Sequence, residues 1–108
     1  MKASDIAKKC DLKIVNLGQD NEISGVYCCD LLSVVMGKGK PNSAWVTVMG
    51  NINSAAVMVL TDIAVIVLAE NTKADENLLN KAKEENLTIL SSSEPIFETA
   101  LKIYKELI

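Results

Sequence analysis

The sequence predicts a three-layer α/β/α domain with a mostly parallel sheet of about five strands. The central stretch, residues 44–70, reads as a strand, a tight turn, a buried helix and a second strand, which is the βαβ unit. Both strands of this unit are nearly continuous apolar runs. Such runs are typical of a parallel sheet that is covered by helices on both faces.

Helices and strands alternate along the whole chain. The predicted helices cover residues 3–10, 30–37, 54–60, 75–85 and 95–108. The predicted strands cover residues 12–17, 23–29, 45–49, 63–68 and 88–90. A chain of 108 residues is long enough for one core and too short for two, so we expect a single domain over residues 1–108.

Polar residues at the expected helix ends support these boundaries. Ser4 and Asp30 are predicted N-caps of the first two helices, and Asp75 is the predicted N-cap of the fourth. Gly37 and Asn86 stand where left-handed residues end a helix. The spacing of apolar residues in the last helix predicts an inward face formed by Phe97, Leu101, Tyr104 and Ile108, with Ala100 and Leu107 beside it.

The composition argues against most enzyme classes. The chain contains no histidine and no arginine, so it lacks the usual general base, the commonest metal ligand and the bidentate donor for phosphate. We therefore expect no catalytic residues, no metal and no cofactor. The net charge of −3 gives no electrostatic reason to bind nucleic acid or an anionic membrane.

The cysteines and the apolar segments bear on localisation. Three cysteines, an odd number, and an N-terminus without an apolar targeting region favour a reducing cytoplasm. The longest apolar tract, residues 55–69, is interrupted by Thr61 and Asp62 and is too short to span a membrane. We expect a cytoplasmic protein with a buried core.

Three polar loops are expected to meet at the carboxyl ends of the strands, where open α/β sheets bind ligands. They cover residues 49–54, 70–72 and 91–93. Gly50, Asn51 and Asn53 open a helix whose free amides can receive an anion, but the asparagines can equally serve only as caps. The hydroxyls of Ser91, Ser92 and Ser93 can join this site or form ordinary turn and cap hydrogen bonds.

Two adjacent cysteines are a separate candidate site. Cys28 and Cys29 point to opposite faces of a strand, which rules out joint zinc chelation and does not match a CxxC redox motif. One is expected to pack inward, and the other, near a helix N-terminus, is a candidate for a lowered pKa and a reactive thiol. Trp45, the only tryptophan, is either a core residue or part of an interface.

Several segments resemble the DRTGG domain family, most closely its small stand-alone members. They are residues 25–33 (GVYCCDLLS), residues 35–37 (VMG), the central stretch and residues 90–92 (LSS). The chain is also similar to the N-terminal domain of HPr kinase. The run that names the family, Asp-Arg-Thr-Gly-Gly, is absent, and only Gly50 matches the family's turn after the third strand.

The resemblance implies a regulatory or ligand-sensing module and not a catalyst. Our first hypothesis is a module that senses a small anionic metabolite or nucleotide at the carboxyl ends of the strands. The alternatives are a protein-interaction module without a small ligand, acting as a homodimer or docking on a partner enzyme, and a thiol-based sensor that uses Cys28 or Cys29.

Overall fold

The computed structural model describes all residues 1–108. It contains five helices and five strands, and the strands form one sheet with helices on both faces. The helices are α1 (Ala3–Lys9), α2 (Leu32–Lys38), α3 (Ile52–Thr61), α4 (Glu76–Glu85) and α5 (Ile96–Leu107). The strands are β1 (Lys13–Asn16), β2 (Gly25–Cys28), β3 (Ser43–Thr47), β4 (Val65–Leu68) and β5 (Ile89–Ser91).

The strands form one sheet in the order β1-β5-β4-β3-β2. Strands β2 to β5 are parallel neighbours in sequence order, and β1 lies antiparallel to β5 at one edge. Because each parallel connection steps to the next strand in the same direction, right-handed crossovers place α2, α3 and α4 on the same face of the sheet. Helices α1 and α5 cover the other face, which confirms the predicted mostly parallel, three-layer architecture.

The core has two halves, one on each side of the sheet. The half under α2, α3 and α4 includes Trp45, Ile66 and Leu78, all fully buried. The half under α1 and α5 includes Ile6 and Ile103. Trp45 is therefore a core residue and not part of an exposed interface.

Helix α4 begins and ends at the predicted residues, and α3 begins at an asparagine cap, one of the two roles that the sequence left open for its turn. Asn51 accepts a hydrogen bond from the backbone of α3, and Asp75 accepts one from the N–H of Leu78 at 2.8 Å. Both helices end at a left-handed residue, Asp62 for α3 and Asn86 for α4. The helix signals in this half of the chain are confirmed because each is local.

Three predicted caps are wrong. Helix α1 begins two residues earlier than an N-cap at Ser4 requires, and the Ser4 hydroxyl instead bonds the Asp20 carboxylate. Asp30 does not cap α2; its carboxylate accepts hydrogen bonds from the Thr47 hydroxyl at 2.7 Å and from the N–H of Val48 at 2.9 Å. Gly37 lies inside α2, which continues to Lys38. In the first two cases a long-range partner outcompetes the local cap.

The predicted inward face of α5 is also wrong. The residues that α5 buries are Thr99 and Ile103, and Phe97, Tyr104 and Ile108 are exposed. None of the helices is long and apolar enough to cross a membrane.

Candidate anion-binding site

The three polar loops of the carboxyl edge lie together, as the sequence predicted. The N–H of Asp75 donates to the carbonyl of Gly50 at 2.8 Å, which joins the loop after β3 to the loop after β4. The N–H of Asn71 donates to the carbonyl of Ser92 at 2.9 Å, which joins the loop after β4 to the loop after β5. The loops therefore form one continuous surface.

The chain leaves β4 and β5 toward opposite faces of the sheet. The loop after β4 leads to α4, and the loop after β5 leads to α5, on the other side. Divergence of this kind opens a crevice outside the carboxyl ends of parallel strands. The backbone turns sharply at the start of the loop after β4, because Glu70 and Asn71 both have left-handed dihedral angles.

Gly50 allows the loops after β3 and β4 to touch. A Cβ atom at this position would lie 2.5 Å from the carbonyl oxygen of Lys73 and 3.3 Å from the Thr72 methyl group. Such a short distance to backbone forces a shift in the chain. Gly50 is thus required for the close approach of its turn to the loop at residues 71–74.

The two asparagines of the turn have different surroundings. The Asn51 side chain accepts a hydrogen bond from the N–H of Asn53 at 2.9 Å and caps α3. The Asn53 side chain is exposed. Asn51 thus has the cap geometry that the sequence offered as its alternative role.

The three serines are separated by the structure. Ser92 is buried, and its hydroxyl lies 2.8 Å from that of Thr99 and accepts from the N–H of Glu94. Ser93 is exposed. Ser91, at the end of β5, lines a cleft of about 430 Å³ on the α4 side of the sheet.

This cleft, which we call the lysine cleft, lies between β1, β5, α4 and the loop after β4. Its lining residues are Lys13, Ile14, Val15, Asn71, Thr72, Lys73, Ala74, Leu79, Lys83 and Ser91. Three of the ten are lysines and none is acidic, in a chain whose net charge is negative. The lysine cleft is therefore a local concentration of positive charge.

Each lysine reaches the cleft from a different element. Antiparallel pairing of β1 with β5 sets Lys13 opposite Ser91. Lys73 belongs to the loop that Gly50 contacts. Lys83 follows Leu79 by four residues on α4, and residues four apart share a face of a helix.

The chemistry of this arrangement is anion recognition. Ammonium groups bind phosphate as point charges with several donors, and the Ser91 and Thr72 hydroxyls and the Asn71 amide can add neutral hydrogen bonds. No three Cys, Asp or Glu side chains lie together in a way that could hold a metal ion.

The lysines were missed by the sequence analysis. They lie far apart in the chain, and no motif connects them. The single available signal was the position of Lys73, immediately after the predicted polar loop at residues 70–72. Lys13 becomes a candidate only once β1 is known to lie beside β5.

Cys28 does not have the lowered pKa that the sequence offered for one cysteine of the pair. Cys29 is half-buried, and its thiol donates to the carbonyl of Leu31 at 3.6 Å. Desolvation by surrounding side chains, followed by the charges of Asp30 and Cys29, raises the pKa of the Cys28 thiol. A raised pKa reduces the thiolate fraction at neutral pH, which is the reactive form.

Cys28 is accordingly expected to react slowly with iodoacetamide at pH 7.5. In a Cys10→Ser/Cys29→Ser variant, the folded protein should label more slowly than the same chain unfolded in urea. The labelling rate of the folded protein should also begin to rise at a higher pH than that of the unfolded chain. Time-resolved mass spectrometry measures both rates. Faster labelling of the folded protein would instead support a thiol-based sensor.

No protein-family model matches this sequence, and no curated protein sequence matches it. A solved structure with a similar fold is that of the CBS and DRTGG domains of the regulatory region of Clostridium perfringens pyrophosphatase, complexed with the activator diadenosine tetraphosphate. The TM-score is 0.74 at 10% sequence identity, over 97% of this chain and 46% of the other.

This chain therefore spans less than half the length of the solved one. At so low an identity the likeness shows the fold alone. It confirms the DRTGG-like α/β architecture that the sequence resemblance implied.

Proposed function

We propose that this chain is a non-catalytic regulatory module that senses a small anionic metabolite or nucleotide in the lysine cleft. The observation that carries the proposal is the composition of the cleft, in which Lys13, Lys73 and Lys83 converge without an acidic residue. Its position at the carboxyl ends of β4 and β5 supports the same role.

The fold neighbour supports the choice of ligand class. That protein is a regulatory region, and its structure contains the nucleotide activator diadenosine tetraphosphate. Polyphosphate groups carry several negative charges and match a cluster of ammonium groups better than a monoanion does. We therefore propose nucleotides and related polyphosphates as the first compounds to test.

The turn formed by Gly50, Asn51 and Asn53 belongs to the proposal as the element that responds to the ligand. The turn contacts the loop at residues 71–74, which also lines the lysine cleft. A ligand that orders this loop will also restrict the turn and the start of α3. Ser91 is proposed to contact the ligand directly, and Ser92 and Ser93 to hold the loop after β5.

A thermal-shift experiment tests this function. Diadenosine tetraphosphate, ATP and inorganic pyrophosphate are added to the purified protein, with sodium chloride at matched ionic strength as the control. A ligand present at a hundred times its dissociation constant adds about 2.7 kcal/mol to the free energy of unfolding, which corresponds to about 10 °C or more in Tm for a domain of this size.

We expect at least one of the three polyphosphates to raise Tm, and sodium chloride to have little effect. The absence of a shift with all three compounds at millimolar concentration would contradict the proposed function. An equal shift with sodium chloride would do so as well, because it would show screening of charge and not a site.

A further inference from the structure

The sheet edge opposite the lysine cleft carries an apolar groove between α5 and β2. We call it the α5–β2 groove. It encloses about 250 Å³, and the six residues that line it are Val26, Cys28, Phe97, Ala100, Leu101 and Tyr104. None of the six is charged. The groove includes four of the six residues of α5 that the sequence predicted to face the core.

Two of the residues that line this groove are aromatic and exposed to solvent. Phe97 is 69% exposed and Tyr104 is 52% exposed. Since an aromatic side chain offers about 150–250 Å² of surface, the two together expose on the order of 200–300 Å². With the other groove residues, the patch reaches the size of the largest apolar patches on monomeric proteins, which are often functional.

The strand beside the groove is an open sheet edge of four residues. β2 is the last strand of the sheet and pairs only with β3. Its residues, Gly25 to Cys28, include no charged side chain and no proline, which are two of the usual protections of an exposed edge. The opposite edge strand, β1, carries Lys13. The β1 edge therefore carries a charge that disfavours pairing with another chain, and the β2 edge does not.

We propose that a second copy of this chain covers the α5–β2 groove, forming a two-fold symmetric dimer. A two-fold axis beside β2 sets the two β2 strands antiparallel at their open edges, and the rings of Phe97 and Tyr104 enter the groove of the other copy. An edge strand and a groove flanked by projecting rings are both self-complementary, as a two-fold interface requires.

The charges on α5 support a second copy over other occupants. When two α5 helices cross antiparallel near Leu101, Glu98 of one copy approaches Lys105 of the other, twice by symmetry. Both side chains are exposed in the single chain and form no ion pair there. The rim of the groove thus has the charge pattern that this pairing satisfies.

The available area also suits a dimer. The aromatic rings of two copies can bury about 400–600 Å² of accessible surface. Stable interfaces bury roughly 1,200 Å² or more in total. The four other groove residues, the flanks of α5 and the backbone of β2 supply the remainder. This interface lies away from the lysine cleft, so the dimer does not depend on the proposed ligand.

Sedimentation velocity of the full chain between 1 and 100 µM, a range chosen to bracket about micromolar affinity, tests the proposal. The wild type should be dimeric at the upper end, and Phe97→Glu should be monomeric throughout. Leu60→Glu is the matched control, because Leu60 is 66% exposed on α3, away from the groove. Circular dichroism verifies that each variant is folded.

Charge exchange provides a second, independent readout. Glu98→Lys and Lys105→Glu should each weaken the dimer, and the double variant should restore part of the lost affinity. A wild type that stays monomeric at 100 µM would overturn the proposal and assign the groove to a different partner. A dimer that survives Phe97→Glu would overturn it too, because another surface would then form the interface.

Discussion

Reversing two charges of the lysine cleft, with Lys73→Glu and Lys83→Glu together, is expected to abolish detectable binding of inorganic pyrophosphate. Hydrogen bonds to charged groups contribute about 1.5–3 kcal/mol each, and each reversal also adds a repulsive carboxylate. A loss of 3 kcal/mol or more corresponds to an affinity more than about 100-fold lower. Isothermal titration calorimetry at fixed ionic strength measures the change.

The control for this variant changes the net charge equally without touching the cleft. Lys81→Glu with Lys9→Glu serves, because neither residue lines the lysine cleft and Lys81 is on the same helix as Lys83. Lys81 forms an exposed ion pair with Glu85, and such pairs contribute little to stability. We expect a change in affinity below about threefold in the control. Equal losses in both variants would show that only the overall charge matters.

The substitution Trp45→Ala is expected to have the largest effect on stability. The side chain is fully buried, and its indole N–H donates to the carbonyl of Cys29 at 2.8 Å. Truncation of a buried tryptophan costs about 3–5 kcal/mol, and the orphaned carbonyl adds about 1–3 kcal/mol. Against a total stability of about 5–15 kcal/mol, the variant should be largely unfolded or lose 15 °C or more in Tm.

Trp45→Phe separates the two contributions. It keeps an aromatic ring in the core but removes the donor and part of the ring volume, so we expect a smaller loss, on the order of 1–3 kcal/mol. Urea denaturation followed by circular dichroism measures both variants, because the only tryptophan is lost. A loss below about 1 kcal/mol for Trp45→Ala would contradict the core role assigned to this residue.

The parts of the fold that depend on local signals could be predicted from the sequence. The Asp75 cap, the Asn51 cap and the left-handed Asn86 act within a few residues, and each lies where the pattern predicts. The apolar runs of β3 and β4 also favour a buried parallel sheet, because they are short, rich in β-branched residues and bounded by turn residues.

Features that depend on distant partners could not be predicted. Asp30 has the spacing of an N-cap, yet it bonds Thr47 and Val48 across the neighbouring strand. The same limit applies to α5, where two apolar stripes fit the helical period equally well. The buried stripe includes Thr99, whose hydroxyl lies 2.8 Å from the buried Ser92 hydroxyl, so a residue that resembles a surface residue lies in the interior.

The candidate site also has one part that could be predicted from local sequence and one part that depends on distant residues. Its loops were located from the rule that ligands bind at the carboxyl ends of parallel strands. Its charges were not, because Lys13 and Lys83 enter the cleft only through the antiparallel pairing of β1 and the orientation of α4. Strand order is a long-range property that a single sequence does not reveal.

The most direct test of the ligand-sensing account is a titration of the ¹⁵N-labelled protein with inorganic pyrophosphate, followed by two-dimensional NMR. If pyrophosphate binds in the lysine cleft, the backbone amide signals of Ile14, Asn71 to Ala74 and Ser91 should shift and saturate. The signals of the Gly50 turn should show smaller shifts. Shifts confined to other lysines, such as Lys38 and Lys40 in the cleft beside Tyr27, or a spectrum that does not change, would contradict the ligand-sensing account.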